Sequence, residues 1–298
     1  MAAWQIHNTN MPLVDLHIHT YFSDGKYSPE QILSRAAEMG LKAIAFADHD
    51  NANAARHVRA LAPGVVPEVE VVPAIEFTTT WPGLDVLPGG SDVDLLAYFV
   101  DLDSEALKTL EKAEQEDISQ RIADCCQRLT ETGCPVTMEE VWAENRRQPS
   151  LASLSFALQH RGYAGTQEAA EELMFAAWDK VRPCKHEIGN VIAAIHAAGG
   201  IAVLAHPGAI ARPGGLIGAD QIRELAALGL DGLEACHHRN EGEARQSLLA
   251  LARQFNLVTS GGSDLHGWWH GNDRLGTQPV TVEMLDALRA RHRQIARR

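Results

Sequence analysis

The chain has 298 residues, enough for one large domain or for a domain with an insertion. Its formal net charge of −13 disfavours tight binding to long nucleic acid, which needs a basic surface. No apolar run approaches the about 20 residues that cross a bilayer, and residues 1–11 lack the hydrophobic core of an export signal. The five cysteines form no Cys-x-x-Cys pair, which argues against a disulfide framework or a zinc ribbon, so we expect a cytoplasmic protein.

The first predicted element is a β-strand over residues 14–20, where polar and apolar residues alternate. His17 and His19 are two positions apart in this strand, so their side chains point to the same face. Two neutral imidazoles held side by side form half of a divalent-metal site. An edge strand with two unrelated histidines would have the same pattern, so the rest of the chain must decide between the two interpretations.

A helix is predicted next, with Ser28 as its N-cap, Pro29 and Gln31 in its first turn, and Gly40 at its end. Apolar runs predict six further strands at residues 42–47, 71–75, 93–99, 201–205, 232–236 and 257–263. Nearly all of these runs end in His, Asp or Glu. Functional groups gather at the carboxyl ends of the strands in parallel α/β barrels, so the sequence predicts an α/β, TIM-like barrel with seven parallel strands. An open, doubly wound sheet is the alternative.

Residues 104–186 carry helical patterns and no strand signal. A long charged helix is predicted from its cap at Ser104 to about Thr132, with Gly133 as its stop. A capping box begins another helix at Thr137, and two more are predicted over residues 150–160 and 166–180. We therefore divide the chain into a barrel of residues 1–103 and 187–298 and an all-helical insertion of residues 104–186. The insertion would lie over the active face as a substrate-selecting cap; a packing appendage without ligand contact is the alternative.

The polar residues near the strand ends form a mixed set of imidazoles and carboxylates: His17, His19, Asp24, His49, Glu76, His206, Asp264 and His266. Such a set suits Mn²⁺, Fe²⁺ or Zn²⁺ better than Ca²⁺ or Mg²⁺ alone. Eight ligands are too many for one tetrahedral ion. We therefore expect two or three divalent ions that share a bridging carboxylate, with manganese as the first choice and iron or zinc as alternatives.

Five motifs in chain order resemble those of the PHP (polymerase and histidinol phosphatase) family: His17-Ile-His19, Asp48-His49-Asp50, Glu76, Ala205-His206-Pro207 and Gly262-Ser263-Asp264-Leu265-His266. The stand-alone branch with a helical insertion, which includes the nucleoside 3′,5′-bisphosphate phosphatases, looks most similar. The resemblance implies a distorted seven-stranded barrel, usually with a trinuclear metal centre, and metal-dependent hydrolysis of phosphate esters.

Carried over motif by motif, the resemblance implies three ion sites, held by His17, His19, Glu76 and Asp264, by Glu76 and His206, and by Asp24, His49 and His266. Asp48 and Asp50 would orient imidazoles. Where many relatives have a histidine in the fourth strand, this chain has Asp94, and a carboxylate can replace an imidazole as a ligand of the second ion.

Relatives that cleave nucleotides often carry an Arg-x-His pair in the insertion and an arginine after His-Pro-Gly. Ser153, Ser155 and Ala209 stand at the corresponding places here, which bears against nucleotide specificity.

The expected reaction is hydrolysis of a phosphomonoester in a small phosphorylated metabolite or nucleotide. A hydroxide that bridges two ions would attack phosphorus, with Asp264 and His206 counted among the catalytic groups and His206 or His238 able to protonate the leaving group. Arg239, Arg182 and Lys185 are candidate anchors for a second phosphate, and His238 is a further substrate contact, although exposed basic residues are more often solvated surface charges. Trp268 and Trp269 could stack on a base or simply pack.

Three alternatives stay open at this point. The substrate could be a phosphodiester, such as a cyclic sugar phosphate or an oligonucleotide end, which would fit the missing arginines. Amidohydrolase barrels also use His-x-His in the first strand, but no lysine stands at a strand end to become a bridging carbamate. A non-catalytic metal-binding module is the third, against which the nearly complete ligand set argues. The sequence leaves the oligomeric state open.

Overall fold

The computed structural model describes residues 13–82, 92–210, 216–268 and 274–296. Within these residues the chain forms a seven-stranded sheet whose strands follow one another in sequence order. The strands are β1 (Asp15–Ile18), β2 (Ala43–Phe46), β3 (Glu70–Thr80), β4 (Asp92–Tyr98), β5 (Ile201–Leu204), β6 (Gly232–Cys236) and β7 (Val258–Gly261). The prediction of seven strands is confirmed.

The sheet curls until its first and last strands meet. Ile18 at the end of β1 pairs in parallel with Leu265, which follows β7. The backbone N–H of His19 donates to the carbonyl of Leu265 at 3.0 Å, and that of Asp264 donates to the carbonyl of His17 at 2.8 Å. The fold is therefore a distorted TIM-like barrel, as predicted, and the open doubly wound sheet is excluded.

The expectation of an all-parallel sheet is wrong at one strand. β4 runs antiparallel to both β3 and β5, whereas the other neighbouring strands are parallel. β3 continues beyond Glu76 to Thr80, and its second half pairs with β4. The reversal places the beginning of β4, which carries Asp94, at the edge of the sheet where the parallel strands end. Strands buried on both faces are continuous apolar runs in either direction, so the hydrophobic pattern could not show the reversal.

The described residues also form ten α-helices: α1 (Pro29–Glu38), α2 (Asn53–Ala60), α3 (Glu105–Glu131), α4 (Met138–Glu144), α5 (Leu151–His160), α6 (Gln167–Trp178), α7 (Ile188–Ala197), α8 (Ala219–Ala227), α9 (Glu243–Gln254) and α10 (Val282–Ile295). The predicted capping boxes at Ser28 and Thr137 are both present. Ser104 is the N-cap residue of α3, as predicted, but its side chain makes no capping hydrogen bond.

Helices α3 to α6 form the insertion between β4 and β5 and have a hydrophobic core of their own, which includes Ile122, Leu158 and Met174. The first half of α3 packs instead with the barrel core through Leu107 and Leu110. Helix α3 therefore joins the two units, and the domain boundary at residue 104 stays a prediction. Among the described helices, none combines the length and the apolar character that crossing a membrane requires.

Candidate metal centre

The predicted ligands converge at one mouth of the barrel. They come from β1 and the loop after it (His17, His19, Asp24), the end of β2 (His49), β3 (Glu76), the beginning of β4 (Asp94), the end of β5 (His206) and the end of β7 (Asp264, His266). The strands lie in one sheet, so residues from six separate stretches of sequence become neighbours.

Four atoms with lone pairs face one another at the centre of this mouth. Nε2 of His17 lies 3.1 Å from Nε2 of His19 and 3.1 Å from Oε2 of Glu76. Nε2 of His19 lies 3.2 Å from the same Glu76 oxygen and 3.3 Å from Oδ1 of Asp264. Because neutral imidazole nitrogens and carboxylate oxygens repel one another, this group holds together only around a cation or with protons on the imidazoles.

Glu76 reaches a second group of ligands through its other oxygen. Its Oε1 lies 2.8 Å from Nε2 of His206, which is 3.7 Å from Oδ2 of Asp94. Oδ1 of Asp94 is buried and makes no hydrogen bond with any residue that the structure describes. Glu76 thus stands between two groups of donors, which is the position of a bridging carboxylate.

A third group surrounds Asp24. Its Oδ2 lies 3.3 Å from Nε2 of His266 and 3.9 Å from Nε2 of His49. Nδ1 of His19 is 3.5 Å from Oδ1 of Asp24 and has no hydrogen-bond partner within the described parts of the chain. The ring of His19 therefore faces the first group with Nε2 and the third group with Nδ1.

The carboxylates favour positive charge on the surrounding imidazoles. Burial by itself lowers the pKa of His17, but Glu76, Glu234 and Asp264 outweigh it and raise that pKa well above its usual value. Against the same effect of burial, Glu76 above all raises the pKa of His206 to about 9. Burial would raise the pKa of Glu76, yet the imidazoles, with His17 foremost, hold it well below its usual range. A field that holds protons on imidazoles also holds divalent cations, which bind where those protons leave.

The donor set fits divalent ions of the Mn²⁺, Fe²⁺ and Zn²⁺ type. Nitrogen and oxygen donors are mixed, as these ions prefer. Ligand atoms lie within 4.8 Å of one another in three sets, His17–His19–Glu76, Glu76–Asp94–His206 and His19–Asp24–His49–His266, whereas Asp264 falls within that distance of His237 and His238. The buried atoms of His19 and Asp94 that lack a hydrogen bond would gain a partner from a bound ion. The assignment of each residue as a metal ligand stays a prediction.

Glu234 in β6 is a site residue that the sequence analysis missed. It is buried, its Oε1 lies 3.0 Å from Nδ1 of His17, and its Oε2 accepts a hydrogen bond of 2.6 Å from the backbone N–H of His206. A carboxylate on Nδ1 fixes the ring of His17 with Nε2 turned to the centre of the site. The available signal was a glutamate inside the otherwise apolar strand Gly232–Cys236.

His237 was also missed, whereas its neighbour His238 was selected. The backbone N–H of Arg239 donates to Nδ1 of His237 at 3.1 Å, which leaves the ring proton on Nε2, 3.3 Å from Oδ2 of Asp264. His237 thereby binds one Asp264 oxygen and leaves Oδ1 to His17 and His19.

Burial, helped by His237, lowers the pKa of His238 to about 4, so His238 is neutral at pH 7, which argues against proton donation by this ring.

The two aspartates beside His49 have different contacts. Asp48 accepts hydrogen bonds of 2.7 Å from the backbone N–H and the hydroxyl of Thr20, and one of 2.6 Å from the hydroxyl of Ser23. Its hydrogen bonds therefore fix the loop that carries Asp24, and its predicted role in orienting an imidazole stays a prediction. Asp50 lines the cavity at the mouth, and burial raises the pKa of its carboxyl to about 7.

Backbone strain is concentrated at this mouth. Asp50, His206 and Asp264 have φ angles of 57°, 26° and 54°, in a region that residues other than glycine rarely adopt. Each such residue costs about 1–3 kcal/mol. Two of the three residues, His206 and Asp264, are predicted ligands. The strained backbone therefore occurs where a ligand side chain must point into the site.

The insertion lies against the mouth and closes one side of a cavity of about 270 Å³. Asn51 donates through Nδ2 to Oε1 of Gln148 at 2.8 Å, and to the carbonyl of His49 at 2.9 Å. Asn145 donates to the carbonyl of Ser23. The cavity is lined from the barrel by Asp24, His49, Asp94 and His266, and from the insertion by Ile118, Arg121, Leu151, Phe175 and Trp178. The insertion thus has the expected position, and its role as a cap stays a prediction.

The predicted phosphate anchors do not line this cavity. Arg182 donates to Asp117 at 2.7 Å and to the carbonyl of Pro183, Lys185 lies 3.7 Å from the same aspartate, and the Arg239 side chain is exposed. The basic side chain that does line it is Arg121, which the sequence analysis did not select.

The other residues considered from the sequence have packing contacts or lie outside the description. Ser153 and Ser155 are buried and donate to carbonyls near or within α5. Trp268 meets Phe156 edge-on, with ring centroids 4.8 Å apart. Trp269 lies outside the described residues.

Comparison with known proteins agrees with this geometry. A family model described as the PHP domain matches residues 15–135. The chain is 31% identical over 270 residues to a phosphoribosyl 1,2-cyclic phosphate 1,2-diphosphodiesterase of Eggerthella lenta, covering 85% of this chain and 94% of the relative. It is 29% identical over 259 residues to a 5′-3′ exoribonuclease of Haemophilus influenzae, covering 85% and 91%. It is 24% identical over 274 residues to a 3′,5′-nucleoside bisphosphate phosphatase of Chromobacterium violaceum, covering 89% and 91%.

A solved structure from Bifidobacterium adolescentis, whose name assigns it provisionally to the metal-dependent phosphoesterases, has a TM-score of 0.77 and 27% identity to this chain. The match covers 93% of this chain and 96% of that one. The similarity therefore extends over the barrel and the insertion together.

Proposed function

This chain belongs to the PHP family of phosphoesterases, and we propose that it hydrolyses a phosphomonoester of a small phosphorylated sugar or nucleotide with two or three divalent metal ions. One observation carries the proposal. The Nε2 atoms of His17 and His19 both lie within 3.6 Å of carboxylate oxygens of Glu76 and Asp264. Four donors in this arrangement suit a divalent cation, and a cation in an open mouth suits the binding of an anionic phosphate.

We assign the first ion to His17, His19, Glu76 and Asp264, the second to Glu76, His206 and Asp94, and the third to Asp24, His49 and His266. Manganese is the metal we propose, with iron or zinc as alternatives. Divalent ions in such a site lower the pKa of a coordinated water and neutralise charge on the phosphate oxygens.

The protein's own contribution is to hold these donors in place. Glu234 keeps Nε2 of His17 turned inward, and His237 keeps one oxygen of Asp264 occupied so that the other faces the ions. Preorganised ligands and dipoles need no reorganisation when charge develops in the transition state. With His206 used as a ligand and His238 neutral at pH 7, we propose that the proton for the leaving group comes from solvent.

We propose that the insertion of residues 104–186 is a cap that selects the substrate. It contributes apolar and aromatic side chains, among them Leu151, Phe175 and Trp178, to a cavity whose opposite wall carries predicted metal ligands. The Asn51–Gln148 hydrogen bond ties the loop after His49 to the insertion. The part of the substrate that is not cleaved would therefore lie against the insertion.

Hydrolysis of a phosphodiester is the second candidate. Two relatives, at 31% and 29% identity, have names that denote cleavage of a cyclic phosphate and of RNA, whereas the bisphosphate phosphatase is 24% identical. A cyclic phosphate or an oligonucleotide end has the same phosphate chemistry at the metals and differs in what must fit the cavity.

The experiment is a substrate panel with the purified protein and added Mn²⁺: phosphomonoesters, nucleoside bisphosphates, cyclic phosphates and short oligonucleotides. We expect hydrolysis of at least one class, its loss after chelation, and its recovery on return of Mn²⁺. Turnover of monoesters supports the first candidate and turnover only of diesters supports the second. Metal bound in stoichiometric amount without any turnover would contradict both.

A further inference from the structure

Arg121 in α3 is a buried cation in the wall of the cavity that also contains predicted metal ligands. Its residue surface is 3% exposed, and it lines the cavity together with Asp24, His49, Asp94 and His266. An arginine is rarely this buried unless its charge is paired. The contacts of Arg121 therefore decide whether this side chain only stabilises the fold or can also bind a ligand.

Three contacts hold the guanidinium in one orientation. One Nη donates to Oδ2 of Asp92, Nε donates to the carbonyl of Arg182 at 3.2 Å, and the plane lies over the ring of Trp178, 4.4 Å from its centroid. A guanidinium fixed in this way loses little conformational entropy when it binds a further group.

These contacts leave hydrogen-bond donors unused. The Nη1 atom of Arg121 makes no hydrogen bond with any residue that the structure describes, although a guanidinium has five N–H groups in a planar fork. Nη1 is not among the fully buried side-chain atoms that lack a partner, and it belongs to a side chain that lines the cavity. An oxyanion, and above all a phosphate, is the ligand that this fork fits best.

The position of Arg121 relative to the predicted metal ligands suits a second phosphate rather than the one that is cleaved. Its partner Asp92 and the predicted ligand Asp94 are two residues apart in β4, so they share a face of the strand about 7 Å apart. A group bound by Arg121 would therefore lie beside the predicted ion sites without occupying them.

We propose that Arg121 binds the non-scissile phosphate of a ribose that carries two phosphate groups, and thereby determines specificity for such substrates. The inference rests on the proposed phosphoesterase function and adds the substrate feature that the insertion recognises. Phosphoribosyl cyclic phosphate and nucleoside 3′,5′-bisphosphate, which appear in the names of two relatives, both have this feature. If Arg121 only tied α3 to β4, its loss would reduce stability without changing substrate preference.

The test compares a nucleoside 3′,5′-bisphosphate with the matching nucleoside 3′-monophosphate in the Mn²⁺-loaded enzyme. If the wild type cleaves only diesters, the pair becomes a dinucleotide with and without a 5′-phosphate. We expect Arg121→Met to lower kcat/KM for the substrate with the second phosphate about 10- to 100-fold, the usual effect of losing hydrogen bonds to a charged group, mainly through KM. For the substrate without the second phosphate, kcat/KM should change less than about 3-fold.

Two further variants keep the test decisive. Arg121→Lys retains the charge but loses the fork, so it should show a smaller loss with the same substrate dependence. Arg128→Met removes an exposed arginine of the same helix, which pairs only with Glu131 among the described residues. This variant should leave kcat/KM unchanged for both substrates. Melting temperatures of all variants identify any loss through unfolding, and inhibition by a nucleoside 5′-monophosphate should weaken in Arg121→Met in parallel.

The possible failures are distinguishable. If the wild type hydrolyses no phosphate ester, the proposed function fails and this inference fails with it. The other failure is an active wild type whose Arg121→Met and Arg121→Lys variants lower kcat/KM equally for both substrates, or for neither. The phosphoesterase assignment then stands, and the role of Arg121 as a phosphate anchor is refuted.

Discussion

Nε2 of His206 lies 3.7 Å from Oδ2 of Asp94, although the whole helical insertion separates the two residues in sequence. They meet because β4 runs antiparallel to β5, and the backbone N–H of Ala205 donates to the carbonyl of Asp94 at 2.9 Å. The reversal of one strand thus carries a carboxylate to the mouth where the parallel strands deliver histidines. The second group of donors depends on this strand direction.

Replacement of Asp94 should therefore affect one ion more than the others. We expect Asp94→Ala to lower the bound metal by about one ion per protein molecule, because His206 and one Glu76 oxygen are too few ligands to hold an ion firmly. Asp94→His should retain the ion, since an imidazole is a ligand of the same metals. Elemental analysis after dialysis measures the difference, with Asp103→Ala, an exposed aspartate, as the control. Equal metal content in Asp94→Ala and wild type would remove Asp94 from the ligand set.

Loss of His17 should be more severe than loss of Glu234, which holds it. We expect His17→Ala and Asp264→Asn to lose metal and activity together, whereas Glu234→Gln should weaken metal binding about 10- to 100-fold, as is usual for groups that orient a ligand. Titration of the metal-free protein with Mn²⁺ gives both values. His160→Gln changes a histidine that pairs with Glu144 on the insertion and serves as the control. Full metal binding by His17→Ala would contradict the assigned site.

Gly262 is required by the close approach of β1. A Cβ atom at this position would lie 2.3 Å from both Cβ and the backbone N of His17, so the two strands would have to separate. We expect Gly262→Ala to lower the free energy of unfolding by about 1–3 kcal/mol, the usual cost of overpacking, and to reduce metal content because His17 moves. Gly165→Ala, where a Cβ would have open space, should be nearly neutral in denaturant unfolding. Equal stability of the two variants would show that β1 and the segment after β7 can adjust at no cost.

Glu114 should make the protein less stable as pH rises. Burial above all, with Asp50 and Asp117 nearby, raises the pKa of this carboxyl to about 9, and its Oε1 has no hydrogen bond to any described residue. Because the folded state then binds a proton that the unfolded state has released, stability is complete below about pH 4.5 and falls as pH rises towards 9.

The matched variant is Glu114→Gln, which cannot ionise. Its melting temperature should fall less than that of the wild type between pH 5 and pH 8, by a difference equivalent to about 1–3 kcal/mol. Comparison at equal metal concentration cancels the pH dependence of metal binding. Parallel melting curves for the two proteins across this range would show that Glu114 ionises in the folded state as freely as in solution.

Several features of the fold and site were predictable because they are local. The alternation around His17 and His19 gives both a strand and a shared face, and the capping boxes at Ser28 and Thr137 mark helix starts within four residues. The long segment without strand signals predicts the helical insertion. Each of these rests on residues that are neighbours in the chain.

Only the tertiary structure decided the direction of each strand and the contacts between residues that are distant in the sequence. Periodicity records which faces are buried and not which way a strand runs, so the reversal of β4, and with it the approach of Asp94 to His206, was not accessible. In the sequence, Glu234 is an acid within an apolar strand and Arg121 is an ordinary cation of a charged helix. Only the fold shows that Glu234 contacts His17 and that Arg121 contacts Asp92. The sequence by itself determined which chemical groups this protein can use, and the closing of the barrel determined which of them share an electrostatic field, since charges interact by distance in space.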